Sequence, residues 1–524
     1  MGYKVCIPTA GTGSRLGDLT RYINKSLVGI ANRPTICHLI EQFPEDAEFV
    51  IALGYKGNLV REFLGLAYPD RHIDYAQVAP YEGDGSGLGL TLLACKPFLQ
   101  EPFIFISCDT LVDELIPPPK KNWMGFAELQ DLEQYRTLEL ANDQVIDICE
   151  KGVGKYPGYK PYIGLAGIFD YEAFWLAMGS GGLNSIQIGE AFGMRALLKK
   201  GIEAKSFTWH DTGNIDALNK TREFYRDPDE PNILEKANEA IWFVGNHAIK
   251  FSDDEKFIAN RVARVKELEG FAPKITGSGV NMYRYTKVDG RVFSDVVTLP
   301  LFEKLLEHST MFWRPKSPQE YDKSSFNVAC MRFYKDKTYE RVELFYKNFS
   351  QRDSRERING VEMPLLKDLL DDVDWDWLAN GYAGRFHGDF HFENILWAES
   401  EQKFTYLDWR QDFGGDLAVG DIYYDFAKIL HGLIISHELI AKEMYSITWV
   451  NECIEFDFHR KQSLVECENY FLAWLALQNF DVKKTLTLTA LIYLNIAALH
   501  HNPYSLMLYS LGKSMLYRER MRHG

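Results

Sequence analysis

The stretch 386–396 reads Phe-His-Gly-Asp-Phe-His-Phe-Glu-Asn-Ile-Leu and is followed at 406–409 by Tyr-Leu-Asp-Trp. Apolar segments at 394–397 and 404–407 flank a short polar turn. Short apolar runs bounded by turn residues predict two strands joined as a hairpin. The polar residues beside these strands would then lie at a common edge of the structure.

Three of these polar residues suit one kind of chemistry. Asp389 can accept the proton of an attacking hydroxyl, as the catalytic aspartate of a kinase does. Asn394 and Asp408 offer the hard oxygen ligands that Mg²⁺ prefers. The stretch therefore predicts a phosphoryl-transfer site that binds ATP and Mg²⁺.

The two histidines of the stretch allow another interpretation. His387 and His391 are four residues apart, the spacing of helical core residues or of two zinc ligands on one helix. Gly388 between them argues against a helix interior. No third zinc ligand follows at a recognisable spacing, so the phosphoryl-transfer interpretation is favoured.

The pattern His-Gly-Asp-x-His-x-x-Asn at 387–394 resembles the catalytic loop of the aminoglycoside phosphotransferase and choline kinase superfamily. The resemblance covers residues 233–524. It implies an α+β, bilobal, protein-kinase-like domain with a small lobe at about 233–295 and a helical lobe at about 296–524. Within 420–427, Asp421 and Asp425 would orient the catalytic loop or cap a helix.

A lysine and a glutamate upstream are candidates for nucleotide binding. Residues 239–251 form two strand-like runs around Gly-Asn, a hairpin signal, and Lys250 lies on the second run. In kinase-like folds such a lysine holds phosphates and pairs with a helix carboxylate, here Glu267 or, as second choice, Glu269. The alternatives are an exposed lysine and a solvated helix face. Arg410 would neighbour the phosphates or form a salt bridge with a nearby aspartate.

The N-terminal part begins with an apolar strand at 3–8 and continues with Thr-Ala-Gly-Thr-Gly-Ser-Arg-Leu-Gly at 9–17. Gly11 and Gly13 would let backbone N–H groups approach a phosphate, and Arg15 adds a fixed positive charge. The loop lacks the third glycine of the dinucleotide fingerprint and the Gly-Lys-Ser/Thr end of a P-loop.

Strands alternate with helical patterns after this loop. Apolar runs at 49–53 and 103–107 follow, and Asp109 comes directly after the second of them. Such alternation predicts an α/β domain with a mostly parallel, mixed sheet whose ligands bind at the carboxyl ends of the strands.

Residues 1–220 resemble the sugar-1-phosphate nucleotidyltransferases and their phosphocholine cytidylyltransferase relatives, which implies a Rossmann-like nucleotidyltransferase fold. The resemblance implies four groups of site residues. They are the triphosphate-binding residues Gly11, Gly13, Arg15 and Lys25; Gly87, within the nucleobase loop 85–89; the acceptor-binding residues Glu150, Lys151 and Gly167; and the Mg²⁺ ligands Asp109 and Asp211.

Several of these residues also have purely structural interpretations. Asp109 could cap a helix, Lys25 could be a solvated loop charge, and 85–89 could be a flexible turn. Ser26 replaces the proline that usually follows the lysine in that family. Arg15, Lys25 and Mg²⁺ would screen the attack of one phosphate on another, which supports the functional interpretation.

Length and composition limit the remaining possibilities. A chain of 524 residues predicts several domains, here 1–225, a proline-containing linker at 226–232, and 233–524. A net charge of -15 disfavours nucleic-acid binding. The sequence contains no run of about twenty apolar residues, so it does not predict a membrane-spanning helix. The eight scattered cysteines are typical of a reduced, cytoplasmic protein, and a homo-oligomer is possible.

These patterns together predict a bifunctional enzyme. One half would phosphorylate a sugar, polyol or amino alcohol with ATP, and the other would couple the product to a nucleotide from CTP, UTP, GTP or dTTP. The NDP-activated donor would serve the synthesis of a capsule or another surface glycan. The alternatives are a choline kinase and CTP:phosphocholine cytidylyltransferase fusion, and a nucleotide-sensing regulatory protein with one inactive domain.

The second half ends with an aromatic group at 470–480. Tyr470, Phe471, Trp474 and Phe480 could enclose a quaternary amine, as the choline alternative requires. Their helical spacing favours an ordinary core instead.

Overall fold

The computed structural model describes residues 3–129, 132–155, 157–227 and 236–523. The chain forms two compact units. The first comprises Met1–Ile258 and Thr276–Lys287, and the second comprises Ala259–Ile275 and Val288–Gly524. In the described ranges, no helix has the length and hydropathy needed to cross a bilayer.

Most strands belong to the first unit. In chain order the strands are β1 (Lys4–Pro8), β2 (Gly29–Ile30), β3 (Arg33–Pro34), β4 (Glu48–Leu53), β5 (Ile73–Gln77), β6 (Phe103–Ile106), β7 (Thr110–Val112), β8 (Trp123–Phe126), β9 (Thr137–Ala141), β10 (Gln144–Cys149), β11 (Tyr159–Ile168), β12 (Glu203–Ser206), β13 (Trp209–Asp211), β14 (Glu239–Val244), β15 (His247–Ser252), β16 (Ile275–Ser278), β17 (Met282–Thr286), β18 (Arg291–Val292), β19 (Glu356–Ile358), β20 (Val361–Met363), β21 (Ala383–Gly384), β22 (Ile395–Ala398), β23 (Lys403–Tyr406), β24 (Gly420–Asp421), β25 (Tyr445–Val450) and β26 (Cys453–Phe458).

The long helices belong to the second unit. In chain order the α-helices are α1 (Thr35–Glu41), α2 (Gly57–Ala67), α3 (Leu88–Cys95), α4 (Tyr171–Ser180), α5 (Gly182–Ile188), α6 (Glu190–Leu197), α7 (Ile215–Phe224), α8 (Glu255–Arg264), α9 (Phe293–Val296), α10 (Leu299–Phe312), α11 (Lys323–Met331), α12 (Lys337–Phe349), α13 (Leu366–Asp371), α14 (Trp375–Ala379), α15 (Ile422–Ile434), α16 (His437–Ala441), α17 (Gln462–Leu477), α18 (Val482–Ala497) and α19 (Tyr504–His523).

A nine-stranded sheet forms the centre of the first unit, in the order β5-β4-β1-β6-β11-β8-β12-β10-β9. The first four strands of this order are parallel, and β11 runs antiparallel to both β6 and β8. Strands β1, β4 and β6 are continuous apolar runs because helices cover both faces of a parallel sheet. The predicted α/β domain with a mixed sheet is confirmed.

This topology places the predicted phosphate loop beside Asp109. Strands β1 and β6 are parallel neighbours, so the residues that follow them lie at the same edge of the sheet. The buried Asn24 fixes the loop by donating from Nδ2 to the carbonyl oxygens of Thr9 (2.8 Å) and Tyr55 (2.6 Å).

A second sheet of the first unit has the order β14-β15-β17-β16 and contains the predicted hairpin. It packs against α2, where the Trp242 and Phe63 rings lie 5.2 Å apart. Glu62 of the same helix accepts a hydrogen bond from the Asn281 backbone N–H at 2.8 Å. The boundary between the two compact units therefore differs from the predicted domain boundary at 225. Most of the predicted linker, 228–232, lies outside the described residues.

In the second unit, the predicted hairpin is present as β22 and β23. A four-stranded sheet, β20-β19-β26-β25, was not predicted within the helical region. The late aromatic residues form core contacts, with the Phe426 ring 4.7 Å from Phe480 and 4.9 Å from Trp313. Phe471 and Trp474 stack at 6.0 Å, so this group is a packed core.

Candidate active sites

Asp109 is the centre of the candidate site in the first unit. Its Oδ2 lies 3.3 Å from Lys25 Nζ and 3.7 Å from Arg15 Nη2, and its Oδ1 accepts a hydrogen bond from the Ser107 hydroxyl. Burial raises the pKa of Asp109, but Lys25, the Ser107 hydroxyl and Arg15 outweigh burial and hold this pKa below its usual value. Asp109 is therefore an ionised carboxylate in contact with cations.

Asp211 is held next to Asp109 by strand pairing. It ends β13, where it is the register partner of Thr110 on β7. A Cβ added to Gly213 would lie 3.0 Å from Asp211 Oδ1 and 3.1 Å from Asp109 Oδ2, so both carboxylates border one point. Burial raises the pKa of Asp211, and the charge of Asp109 raises it further. Two converging carboxylates of this kind fit a divalent cation.

The loop glycines differ in their surroundings. Gly13 has φ +69°, and a Cβ there would lie 2.8 Å from Lys25 Cβ, so glycine allows this lysine to approach the loop. Nothing lies within 4 Å of a Cβ built on Gly11. Ser26 is buried and donates from both its backbone N–H and its hydroxyl to Asn24 Oδ1, at 2.9 and 2.8 Å. These bonds fix the turn at the position of the missing proline.

Gly87 is required for packing. A Cβ at this position would meet the Ile186 carbonyl oxygen at 2.4 Å, and a Cβ at Gly89 would meet the Ser185 carbonyl oxygen at 1.9 Å. Only glycine therefore allows the start of α3 to approach α5 this closely. A role of Gly87 in nucleotide binding stays a prediction.

The predicted acceptor residues have different surroundings. Glu150 accepts hydrogen bonds from Arg136 (3.1 Å) and Arg195 (2.5 Å), whereas Lys151 lies in an exposed turn. Gly167 lies inside β11, where a Cβ would meet Trp123 Nε1 at 2.1 Å. The geometry thus explains Gly167 by packing, and the acceptor roles of all three residues stay predictions.

Sequence reasoning missed Glu190, a buried carboxylate that lies 4.0 Å from Arg136 Nη1. Burial raises the pKa of Glu190. Its position at the start of α6 gave no signal, because acidic residues are common in the first turn of a helix.

The catalytic loop of the second unit gathers several polar groups around Asp389. Asp389 Oδ1 lies 2.7 Å from Lys428 Nζ, and Oδ2 lies 3.6 Å from His391 Nε2. Asn394 Nδ2 donates to the Asp389 carbonyl oxygen at 3.0 Å and to Oδ2 at 3.3 Å. Burial raises the pKa of Asp389, but Lys428 and His391 outweigh it and hold this pKa well below its usual value.

Asp408 is linked to the same loop through the backbone. The N–H of Leu407 donates to the Asn394 carbonyl oxygen at 2.7 Å, which holds the start of the Asp408 turn against the predicted metal ligand. Asp408 has φ +55° and pairs with Arg261, whose Nη1 lies 3.1 Å from Oδ1. The structure therefore gathers Asp389, Asn394 and the Asp408 turn in one part of the second unit.

Two buried charges support this loop. Asp425 accepts hydrogen bonds from the backbone N–H groups of His387 and Gly388, both at 2.7 Å, and from Trp313 Nε1 at 3.1 Å. Asp421 accepts from the N–H groups of Tyr382 and Tyr423 and so caps α15. These contacts match the orienting and capping roles expected for the two aspartates.

Arg264 was not anticipated from the sequence. It donates to the carbonyl oxygens of Phe386, His387, Arg410 and Leu417, and its guanidinium carbon lies 3.7 Å from the centre of the Phe386 ring. Burial lowers its pKa to about 9. The helical pattern gives no sign of this role of Arg264, because its partners are backbone atoms distant in sequence.

The two histidines of the loop have different roles. His387 is buried, and its Nε2 lies 2.8 Å from the Leu407 carbonyl oxygen, so it supports the loop. Glu393 contacts His391 Nδ1 at 2.7 Å and His437 Nδ1 at 3.2 Å. Burial lowers the pKa of His391, but Asp389 and Glu393 outweigh burial and raise it to about 9. Glu393 therefore lies within hydrogen-bond distance of both His391 and His437.

The predicted nucleotide residues Lys250 and Glu267 belong to different units. Lys250 lies on β15 between Ile241 of β14 and Tyr283 of β17. Glu267 lies in a 3₁₀ helix at Val265–Leu268, where its carbonyl oxygen accepts from Arg385 at 3.3 Å. Their pairing stays a prediction.

Comparison with known proteins gives a separate result for each part of the chain. Residues 335–442 match the APH family, described as "Phosphotransferase enzyme family". A segment of 148 residues is 24% identical to the Bifunctional protein GlmU of Methanococcus maripaludis strain C5, and 146 residues are 23% identical to that of Methanococcus vannielii. The matched segment is 27% of this chain and 34% of either relative, so the chain spans about a third of the length of these relatives.

Solved structures also align with part of the chain. A UDP-glucose pyrophosphorylase complexed with UDP-glucose is 18% identical, with TM-score 0.37, and the alignment covers 43% of this chain and 98% of that one. A CTP:phosphocholine cytidylyltransferase from Streptococcus pneumoniae is 15% identical, with TM-score 0.37, covering 43% and 100%. The match of residues 335–442 to the phosphotransferase family confirms the predicted resemblance of the C-terminal region, and the N-terminal region is similar to the relatives and structures named above.

Proposed function

We propose that the chain is a bifunctional enzyme that phosphorylates a small hydroxyl compound with ATP and then couples the phosphate to a nucleotide. The observation that carries this proposal is the presence of two separate polar groups in one chain. One group joins Asp109 and Asp211 with Lys25 and Arg15. The other joins Asp389 with Asn394 and Lys428.

In the kinase reaction, a hydroxyl oxygen of the acceptor attacks the γ-phosphorus of ATP and ADP leaves. Asp389 orients the hydroxyl and receives its proton. Because its pKa lies well below the usual value, Asp389 is always ionised at neutral pH and acts mainly by positioning. Asn394 and Asp408 would hold Mg²⁺, which neutralises charge on the phosphates.

In the transfer reaction, a phosphate oxygen of the acceptor attacks the α-phosphorus of the second nucleoside triphosphate, and pyrophosphate leaves. Both reactants are anions, so approach requires cations. Lys25 and Arg15 supply fixed positive charge, and Asp109 and Asp211 would hold Mg²⁺. Gly11 leaves room for phosphate beside the loop backbone.

The product is an NDP-activated donor, and we place it in the synthesis of a capsule or another surface glycan. The second nucleotide is CTP, UTP, GTP or dTTP. Thermal shifts of the full chain with each of these nucleotides and Mg²⁺ would identify the base, since a ligand at a hundred times its Kd stabilises by about 2.7 kcal/mol.

Single substitutions in the full chain test the proposal. We expect Asp109→Asn to reduce pyrophosphate release at least about 100-fold and Asp389→Asn to reduce ATP-dependent phosphorylation by a similar factor, each leaving the other reaction intact. Asp143→Asn and Asp376→Asn, at exposed positions, serve as matched controls. Equal loss of both reactions from either active-site change, or no reaction from the unmodified chain with a broad acceptor panel, would contradict the proposal.

A further inference from the structure

The surroundings of Asp389 contain more positive than negative charge. Lys428 pairs with Asp389, and Lys337, Arg341 and Arg410 lie in the same part of the second unit. Among the described residues, none of these last three has a carboxylate within ion-pair distance. In a chain with a net charge of -15, cations without anionic partners at a candidate site point to a negatively charged ligand.

Two of these cations, Lys337 and Arg410, lie over the ring of Phe333. Lys337 Nζ lies 4.3 Å from the ring centre, and Arg410 Cζ lies 4.5 Å from it. Cation–π contact stabilises these charges partly but does not neutralise them. Arg410 Nε is also buried without a hydrogen-bond partner among the described residues. The alternative salt bridge from Arg410 to Asp412 or Asp416 is absent among these residues, and both aspartates accept from nearby backbone N–H groups.

The local backbone presents these side chains in an unusual way. A π-helical segment, Arg332–Asp336, carries Phe333 and leads into α12, whose first residue is Lys337. Such segments are frequent at functional sites. Arg341 follows Lys337 by four residues, so two like charges share one helix face, an arrangement that weakens a helix. The cluster therefore costs stability, which is typical of a site built for a ligand.

The two oxygens of Asp389 separate this cluster from the predicted metal ligands. Oδ2 contacts Asn394, the predicted Mg²⁺ ligand, whereas Oδ1 contacts Lys428. Arg410 and Lys337 interact electrostatically with Lys428, the residue that contacts Oδ1. Arg410 also packs against Gly388. The cationic side of Asp389 is thus distinct from the side that would hold the nucleotide's metal, and it is available to the acceptor.

We propose that the acceptor of the kinase reaction carries an anionic group, a carboxylate or a phosphate, that binds to Lys337 and Arg410 beside Asp389. This inference rests on the proposed kinase function and narrows its substrate class. The anionic group stays intact, while a separate hydroxyl oxygen forms the new bond to the γ-phosphorus. The bond from that phosphorus to ADP breaks, and the hydroxyl proton passes to Asp389. A quaternary amine such as choline would be repelled by the same cluster.

Binding measurements on the full chain test this inference without requiring turnover. With MgADP saturating, inorganic phosphate and glycerate are titrated separately and the thermal shift is recorded. We expect at least one of the two anions to stabilise the unmodified protein. Lys347→Met, a control at an exposed position of α12, should bind this anion equally well. Lys337→Met should bind it with an apparent affinity at least tenfold weaker. Equal affinity in Lys337→Met, or no shift in the unmodified protein, would overturn the inference.

Kinetic measurements separate the two sources of anionic charge and the two proposals. Neutral polyols and sugars are compared with their carboxylates, their phosphate esters and choline. We expect turnover of a carboxylate or a phosphate ester, and a KM for that acceptor at least tenfold higher in Lys337→Met, with the KM for ATP unchanged and partial recovery in Lys337→Arg. A rise in the KM for ATP instead, or preferred turnover of neutral or cationic acceptors, would overturn the inference while leaving the kinase function standing. Loss of turnover in Asp389→Asn tests that function separately.

Discussion

The two candidate sites have opposite balances of charge. In the first unit, two carboxylates, Asp109 and Asp211, border one point and are countered by Lys25 and Arg15. In the second unit, one carboxylate, Asp389, lies among Lys428, Lys337 and Arg410. On the proposed functions both sites take Mg²⁺, and the second in addition takes an anionic group on the side of Lys337 and Arg410. Two sites for phosphate compounds would therefore differ in the charge that the ligand has to supply.

The largest effect should come from the first site. Replacing Lys25 with Met removes the cation that contacts Asp109 and would leave the two carboxylates opposed only by Arg15. We expect nucleotidyl transfer to fall by about 100- to 1000-fold, because positive charge on the approaching phosphates is a major part of such catalysis. Initial rates of pyrophosphate release measure this.

Lys25→Arg and the exposed Lys199→Met complete this experiment. The arginine should retain part of the activity, since it keeps the charge but changes its position, and the control should retain all of it. ATP-dependent phosphorylation should be unchanged in all three variants. If Lys25→Met reduced nucleotidyl transfer only slightly, Mg²⁺ alone would be enough to neutralise the phosphates at the first site. The comparison of the two sites would then fail.

The second prediction concerns the support of the second site. Arg264→Met removes hydrogen bonds to the carbonyl oxygens of Phe386, His387, Arg410 and Leu417, which would be left buried. Unsatisfied buried groups of this kind cost about 1–3 kcal/mol each, partly recovered by relaxation. We expect a Tm several degrees lower and reduced phosphorylation.

The exposed Arg352→Met is the matched control and should leave Tm unchanged. Calorimetry of the full chain, followed by assays of both reactions, would show whether the loss is confined to phosphorylation. If Arg264→Met retained full stability and kinase activity, Asp425 and His387 would be enough to hold the loop.

Sequence reasoning found these sites with unequal success. Asp109, Lys25, Asp389 and Asn394 were found because they occupy short motifs whose spacing reflects one local backbone conformation. The residues that complete the sites, such as Arg264, Lys337 and Lys428, lie on helices where an arginine or lysine every few residues is ordinary. Their partners are distant in the chain, so only the tertiary structure distinguishes them from solvated charges.

The fold shows the same division. The parallel part of the large sheet could be predicted because buried strands such as β1, β4 and β6 are continuous apolar runs. The sheet formed by β19, β20, β25 and β26 could not be predicted, because it pairs residues as far apart in the chain as Ile358 and Ile454. The packing of the Trp242 strand against α2 could not be predicted either, because the pattern of an amphipathic strand does not identify the element that covers its apolar face.

The third prediction uses pH to sharpen the contrast in charge. Burial, together with the charges of Arg410, Lys428 and Arg341, lowers the pKa of Lys337 to about 7, while Asp389 acts in the opposite direction. Lys337 is therefore charged below pH 7 and loses its charge above it. We expect the KM for an anionic acceptor to rise about tenfold between pH 6 and pH 8, following the fraction of charged lysine.

Lys337→Arg is the control for this profile, because arginine stays charged throughout this range. Its acceptor KM should vary little with pH, and the KM for ATP should not follow the Lys337 profile in either protein. A flat acceptor profile in the unmodified enzyme would mean that Lys337 does not contribute its charge to acceptor binding.

The smallest effect is a gain in stability. Lys337→Met keeps the length of a partly buried side chain and removes a charge that faces Arg410, Lys428 and Arg341. Substitutions that relieve such a conflict typically stabilise by about 0.5–2 kcal/mol, and the recurrent cost is lost function. We expect Tm to rise by a few degrees while acceptor binding weakens.

The dependence of this gain on pH has a definite sign. The pKa of Lys337 is lower in the folded protein than in the unfolded chain, so the unfolded chain binds the proton more tightly. The penalty is complete below pH 7 and disappears as the pH approaches the ordinary value of the lysine pKa. The Tm difference between Lys337→Met and the unmodified protein should therefore be larger at pH 6 than at pH 9, whereas Lys347→Met should show no such trend. Destabilisation by Lys337→Met at both pH values would mean that Lys337 is a structural residue, and the second site would then no longer require an anion to complete it.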